Sequence, residues 1–267
     1  MLKDITLGQY FPGNTAIHRM DPRTKILGVV LYIIALFTAI GPVSYLAVLC
    51  FLAAAVRISK IKLKTILKGV KPVVIIICFT ALLNMFYTQG NVLVKFWRFQ
   101  ITDAGIRNAI LMVTRIIMLI TGTFLLTYTT SPITLTDGLE RLLSPLKKVR
   151  FPVHEMAMMM SIALRFIPTL IEETDKIMSA QKARGADFET GNLIQKARAL
   201  VPILVPLFVS AFRRADELAT AMECRCYTGG EGRTRLSPLK WHRIDTIGLM
   251  VCIVMLAAVI VLRLFGL

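Results

Sequence analysis

Acidic residues are scarce in this sequence. Sixteen Asp and Glu stand against 32 Lys and Arg, leaving a formal charge of +16 over 267 residues. Histidine occurs three times and tryptophan twice. The five cysteines form no framework. Cys50, Cys78 and Cys252 lie inside apolar runs, where a thiol behaves as a small hydrophobe. Cys224 and Cys226 make a lone C-x-C with no second pair, so neither a disulfide scaffold nor a zinc site is expected. Catalytic signatures are missing as well. The sequence has no G-x-x-x-x-G-K-[ST] phosphate loop, no H-E-x-x-H and no G-x-S-x-G. ATP hydrolysis by a P-loop is therefore excluded, and no catalytic, cofactor-binding or metal-ligating residue is expected.

What the chain has is hydrocarbon. Apolar residues make up 55% of it, with a mean hydropathy of +0.66, and they cluster in runs. Such runs read as bilayer spans, because a helix satisfies its own backbone hydrogen bonds in lipid. The cations sit in short loops between the runs, the positive-inside pattern, which points to a membrane surface rather than to nucleic acid. The first apolar run begins at Ile26, after a polar segment holding Pro12, Gly13 and Pro22, and is expected to be a retained anchor rather than a cleaved leader.

Ile26–Ile40 and Val43–Val56 are separated by Gly41-Pro42. As one helix they would reach about 46 Å, well beyond a hydrocarbon core of about 30 Å. His18, Arg19, Arg23 and Lys25 precede the pair, and Arg57, Lys60, Lys62, Lys64, Lys68 and Lys71 follow it without an acid. Both flanks lie inside only if the chain crosses twice, so Gly41-Pro42 is an outer turn. Val73–Phe86 is the third span, entered through Pro72. Residues 87–108 read as an external loop, with Tyr87, Phe96 and Trp97 as interface anchors. Ile110–Thr130 is the fourth span and Thr246–Leu262 the fifth, the latter after Arg233, Arg235, Lys240, His242 and Arg243. Arg115 falls inside the fourth span, and no transport role is assigned to it. The expected fold is an all-α multi-pass protein of the cell membrane with about five spans, its N-terminus cytoplasmic and its C-terminus outside. Residues 1–130 form a four-helix membrane region, 131–240 a cytoplasmic or interfacial insertion, and 241–267 the last span.

The insertion carries two long helical patterns, Val153–Arg184 and Asn192–Arg225. Each has an apolar first part, Met156–Ile167 and Leu200–Phe212, and a charged amphipathic tail. Arg165 interrupts the first stretch, and Pro202 and Pro206 the second. At an offset of 41 residues the tails align, Asp175 with Asp216, Ala180 with Ala221 and Arg184 with Arg225. Each Arg is followed by Gly, at 185 and at 229–230. A cation near a helix C-terminus interacts favourably with the dipole, and glycine beyond it is an ordinary stop signal. The other reading is a docking knob, in which Arg between small residues (Ala183-Arg184-Gly185 and Cys224-Arg225-Cys226) enters a groove and binds a carboxylate through two parallel bonds. The methionines Met156, Met158, Met159 and Met160 open the first arm, either as packing filler or as an adaptable surface for several partners.

Four helices, a long insertion with paired X-Arg-X motifs and a closing span resemble the transmembrane coupling subunit, the T component, of energy-coupling factor transporters, a branch of the ATP-binding-cassette importers. The resemblance covers nearly the whole chain. Gln181-Lys182-Ala183-Arg184-Gly185-Ala186 matches the first motif closely, while Cys224-Arg225-Cys226-Tyr227 keeps the second Arg between cysteines instead of the commoner small neighbours. The resemblance implies that two cytoplasmic ATPases bind the arm tips, one at Arg184 and one at Arg225, with ATP held by those partners and not by this chain. It also implies a separate membrane protein, the S component, that captures a vitamin or metal ion and rests on the arms; the adaptable surface at Met156, Met158, Met159 and Met160 would suit that contact. Two rivals stand beside it. One is a membrane enzyme acting on lipid-linked substrates, in which the basic loop Arg57–Lys71 would bind anionic headgroups and for which Glu172, Glu173 and Asp175 are the best acidic cluster, although their spacing is that of a solvated helix face. The other is a self-contained secondary transporter.

Overall fold

The computed structural model describes residues 10–88, 92–96, 99–186, 188, 192–229 and 239–266. Trp97, Arg233, Arg235 and Gly230 lie outside them, as do the side chains of Tyr87 and Phe96. The described chain divides into two compact units, one of residues 10–138 with 239–266, the other of residues 139–229.

In the first unit a single turn α1 (Ala16–Arg19) leads into α2 (Pro22–Thr38), α3 (Pro42–Ser59) and the short α4 (Leu63–Val70). A 3-10 turn at Lys71–Val73 passes into α5 (Val74–Tyr87). Strands β1 (Val92–Phe96) and β2 (Phe99–Thr102) then pair antiparallel, with a bulge between Val92 and Val94. The long α6 (Asp103–Thr129) follows, then the start of α7 (Pro132–Leu143), and after the insertion α10 (Arg243–Leu264) closes the unit. The segment read as an external loop thus contains a hairpin. It is tied down by Thr102, whose hydroxyl donates to the Thr88 carbonyl (2.8 Å) and accepts from the Gly105 N–H (3.0 Å) at the start of α6.

Local rules set the helix starts. Pro22 and Pro42 occupy the first turns of α2 and α3, where a missing N–H costs nothing, and Asp21 caps α2 by accepting from Arg23 N–H (2.9 Å). Four helical stretches, Pro42–Ser59, Leu63–Phe86, Asp103–Thr129 and Arg243–Leu264, are long and apolar enough to cross a bilayer. The 17 residues of α2 rise about 26 Å, at the lower end of the spanning range. The chain is an all-α membrane protein, with this one small hairpin among its described residues.

The core forms where α2 packs on α10, α3 and α6. Tyr32, Leu36, Val48, Met118 and Val259 are its buried centre. Tyr32 spends its hydroxyl on the Met118 carbonyl (2.9 Å), and its ring lies so close to Gly122 that any Cβ there would collide with it. Near the middle of α6, the Arg115 guanidinium donates to the Ala39 carbonyl (3.1 Å) and lies over the rings of Phe37 and Tyr45, 5.8 and 5.5 Å from their centroids. Arg115 is thus a brace for the α2–α3 turn.

The opposite end of α2 holds a polar cluster that the sequence did not announce. Asp245, with no exposed surface, accepts the Asp21 N–H on one oxygen and the His242 N–H on the other, both at 2.7 Å. Beside it the Lys25 ammonium donates to the Thr129 carbonyl (2.9 Å), the Thr130 hydroxyl (3.2 Å) and the His18 carbonyl (3.3 Å). The start of α2, the end of α6 and the start of α10 are joined there. Asp245→Asn turns one of the two accepting oxygens into a donor aimed at an N–H. We expect a loss of about 1–3 kcal/mol, read as a lower thermal unfolding midpoint in detergent, while Asp103→Asn on an exposed first turn leaves the midpoint unchanged.

Candidate functional site

The second unit contains the two arms. After α7 and a 3-10 segment at Ser144–Val149 come α8 (Val153–Ala183) and α9 (Leu193–Cys224), 31 and 32 residues long and about 46 and 48 Å at 1.5 Å per residue. His154 in the first turn of α8 binds Glu140 of α7 through Nδ1 and Oε1 (3.0 Å). Asn192 caps α9, with Gln195 reaching back to its N–H (3.0 Å). Pro168 in α8, and Pro202 with Pro206 in α9, stand inside continuous helices. Neither arm is among the helices apolar enough to cross a bilayer.

Both arms end in the same way. Arg184 is the cap residue of α8, with Gly185 beyond it in the left-handed region (φ +86). Gly185 N–H bonds the Lys182 carbonyl and Ala186 N–H the Gln181 carbonyl, each at 3.0 Å. At the end of α9, Arg225 is the cap, Cys226 takes the left-handed position (φ 54), Cys226 N–H bonds the Glu223 carbonyl (2.8 Å) and Tyr227 N–H the Met222 carbonyl (3.0 Å). These are two copies of one Schellman closure. In the second copy the stop is made by Cys226, three residues before the glycine that the sequence pattern suggested. Ala183, Arg184, Gly185, Cys224, Arg225 and Cys226 are all exposed, and neither guanidinium forms an ion pair with any described residue. Each tip therefore offers a planar cation with two or more unused donors, between residues too small to obstruct it.

The arms are locked together. Glu173 of α8 accepts from Arg214 Nη2 (2.6 Å) and from the Ser210 hydroxyl of α9, and Gln181 Nε2 reaches the Pro202 carbonyl (3.5 Å). Contacts later in α8 fall earlier in α9, so the helices run in opposite directions where they pack. Arg184 lies eleven residues beyond Glu173, and Arg225 eleven beyond Arg214, so each tip stands about 16 Å along its helix from the shared ion pair. Glu173 and Arg214 are themselves separated by the 41-residue offset of the two tails. A constant offset does not by itself mark an antiparallel contact, so the lock left no signal in the sequence. The lock changes the meaning of the acidic cluster. Glu173 is a structural counter-ion, and only Glu172 stands fully exposed beside it.

The apolar first parts of the arms are open. Met156, Met159 and Met160 are exposed and Met158 half-buried on α8, and Val201, Val205, Phe208 and Phe212 make an exposed stripe on α9. The other unit contains a cavity of about 340 Å³, walled by groups such as Val29, Tyr32, Phe51, Leu126 and Cys252. With Lys25 as its one charged neighbour, it offers hydrocarbon and no acid–base pair.

Comparison with known proteins bears on this geometry. The family described as cobalt transport protein (CbiQ) matches residues 13–236. Three curated relatives, each named energy-coupling factor transporter transmembrane protein EcfT, align over almost their whole length. The one from Clostridium kluyveri is 53% identical over 267 residues, covering 99% of both chains. Those from Ruminiclostridium cellulolyticum and Lactococcus lactis subsp. cremoris are 50% and 44% identical, each alignment covering 98% of both chains. Spanning helices, paired arms and these alignments lead to one conclusion: the chain belongs to the CbiQ family, among the transmembrane proteins of energy-coupling factor transporters.

Proposed function

We propose that this chain converts motion of two cytoplasmic ATPases into motion of a substrate-binding membrane partner, with Arg184 and Arg225 each gripping one ATPase. The observation that carries the reading is the pair of helix closures of one kind, each presenting an exposed Arg with no ion pair among the described residues, on arms that run in opposite directions from a common ion pair. Two tips that diverge from one lock suit two separate motors. The motors hold ATP; this chain supplies levers and no chemistry. In this reading the tips lie on the cytoplasmic side with the N-terminus, and the C-terminus lies outside. The S component, carrying a vitamin or metal ion, sits on the apolar first parts of the arms, where Met156, Met158, Met159 and Met160 adapt to its surface.

Arg184→Ala with Arg225→Ala removes both forks and leaves the helices intact, because the closures use backbone groups alone. ATPase association is expected to weaken at least about tenfold, with membrane insertion unchanged; pull-down of the ATPases and substrate uptake measure the two sides. Full binding and full uptake in the double variant would refute the docking role. Glu173→Arg sets two cations face to face between the arms. We expect transport per ATP hydrolysed to fall several-fold while the ATPases stay bound, and Glu173→Arg with Arg214→Glu to restore it. Replacing Met156, Met158 and Met160 by Ile stiffens the arm surface with little change of volume, and co-purification of the S component should decrease. Unaltered recovery of every S component tested removes the methionines from that contact.

A further inference from the structure

The stretch from the last turn of α3 to the start of α5 has no part in the proposed coupling role, yet its side chains are sorted. Arg57, Lys60, Lys62, Lys64, Lys68 and Lys71 fall within fifteen residues that contain no acid. All six are exposed, and none is ion-paired among the described residues. On α4, Ile66 and Val70 are buried and the helix packs on α6. Gly69 permits that approach, since a Cβ there would collide with the Phe124 ring. Next to the buried stripe stand Leu63 and Leu67, one turn apart and 68% and 66% exposed. The next stripe round the helix is Lys64, Lys68 and Lys71, at i, i+4 and i+7. Three neighbouring stripes thus face protein, then hydrocarbon, then anions.

This order excludes two simpler settings. Water would leave two adjacent leucines bare beside the lysines, and the bilayer interior would bury three ammonium groups within nine residues. Leu63–Phe86 as a whole is long enough to cross, but the 3-10 turn at Lys71–Val73, with Pro72 in it, separates α4 from the apolar α5. Lys71–Tyr87 alone has the 17 residues of α2, so α4 need not enter the hydrocarbon core. A helix lying in the membrane–water interface satisfies both stripes: leucines among acyl chains, lysines level with phosphates. We propose that α4, with Arg57, Lys60 and Lys62 beside it, is a binding surface for anionic phospholipid. Charge complementarity selects the anionic class, because a zwitterionic headgroup brings its own cation. The leucine stripe selects lipid over an acidic protein, which would meet the lysines and leave Leu63 and Leu67 uncovered.

The test uses the full-length chain in detergent, where orientation and the ATPases have no influence, so it stands apart from the coupling reading. Equimolar phosphatidylglycerol and phosphatidylcholine are added, and retained lipid is counted by native mass spectrometry. The wild type should retain phosphatidylglycerol at least about threefold over phosphatidylcholine. Lys64→Gln with Lys68→Gln and Lys71→Gln should bring the ratio close to parity, and the corresponding triple Arg variant should preserve it. Leu63→Ser with Leu67→Ser should reduce retention of both lipids. Parity in the wild type, an undiminished preference in the Gln variant, or indifference to loss of the leucines would each overturn the proposal.

Discussion

A buried carboxylate is tolerated only where each oxygen is answered, and Asp245 meets that condition. Its partners, the N–H groups of Asp21 and His242, are separated along the chain by the whole of the arm-bearing insertion. The consequence is topological. The chain departs from one compact unit after α6, builds the other, and returns to the first at α10. A bundle interrupted in this way needs a specific contact to receive its last helix. Apolar packing of α10 on α2 and α3 supplies area but little register, since one hydrocarbon stripe slides on another at modest cost. Two short hydrogen bonds to a buried charge fix the register.

The arms obey the opposite constraint. Their charged tails are unsuited to hydrocarbon, and their stiffness comes from length and from one cross-brace. An isolated helix of about 46 Å bends readily under load, whereas two such helices joined at Glu173 and Arg214 resist splaying. The ion pair is half-buried and reinforced by Ser210, so solvent screens it less than an exposed surface pair. Position matters as much as strength. Equal distances from the brace to the two tips mean that a displacement at either tip reaches the brace with similar leverage. That balance is what the proposed coupling to two motors would use.

Much of this organisation was legible in the sequence because it is carried by long, strongly patterned elements. The arms expected at Val153–Arg184 and Asn192–Arg225 are found at Val153–Ala183 and Leu193–Cys224, with the two arginines as caps. The apolar runs gave the spanning helices for the same reason. Short elements were not legible. The eight residues of α4 read as a basic loop, because its lysines outweigh a buried stripe of only Ile66 and Val70. The hairpin β1–β2 is too short for its alternation to stand out from the loop around it. Pro202 and Pro206, which counted against a membrane span in that stretch, stand inside a continuous α9, as the long pattern Asn192–Arg225 implied. Pairings between distant residues left no local mark. Nothing near Asp245 indicates that its partner lies at Asp21, and an acid beside a basic stretch looks like an ordinary first-turn residue.

The two tips show which feature of the site is under the tighter physical constraint. A left-handed residue after the cap is nearly free of cost for glycine, and about 1–2 kcal/mol dearer for a residue with a Cβ. Gly185 meets this requirement and Cys226 does not, yet both adopt the conformation and both complete the same pair of backbone bonds. The shared quantity is therefore backbone geometry rather than side-chain identity. That geometry makes Arg the final residue of the helix, where no following turn shields its guanidinium and the chain bends away immediately behind it. An Arg one turn earlier would lie along the helix surface among its i−4 neighbours, available for a dipole contact but not for entering a groove. The closure, obtained at one tip despite an unfavourable residue, is what would turn a helix-stabilising cation into the contact point of the proposed docking.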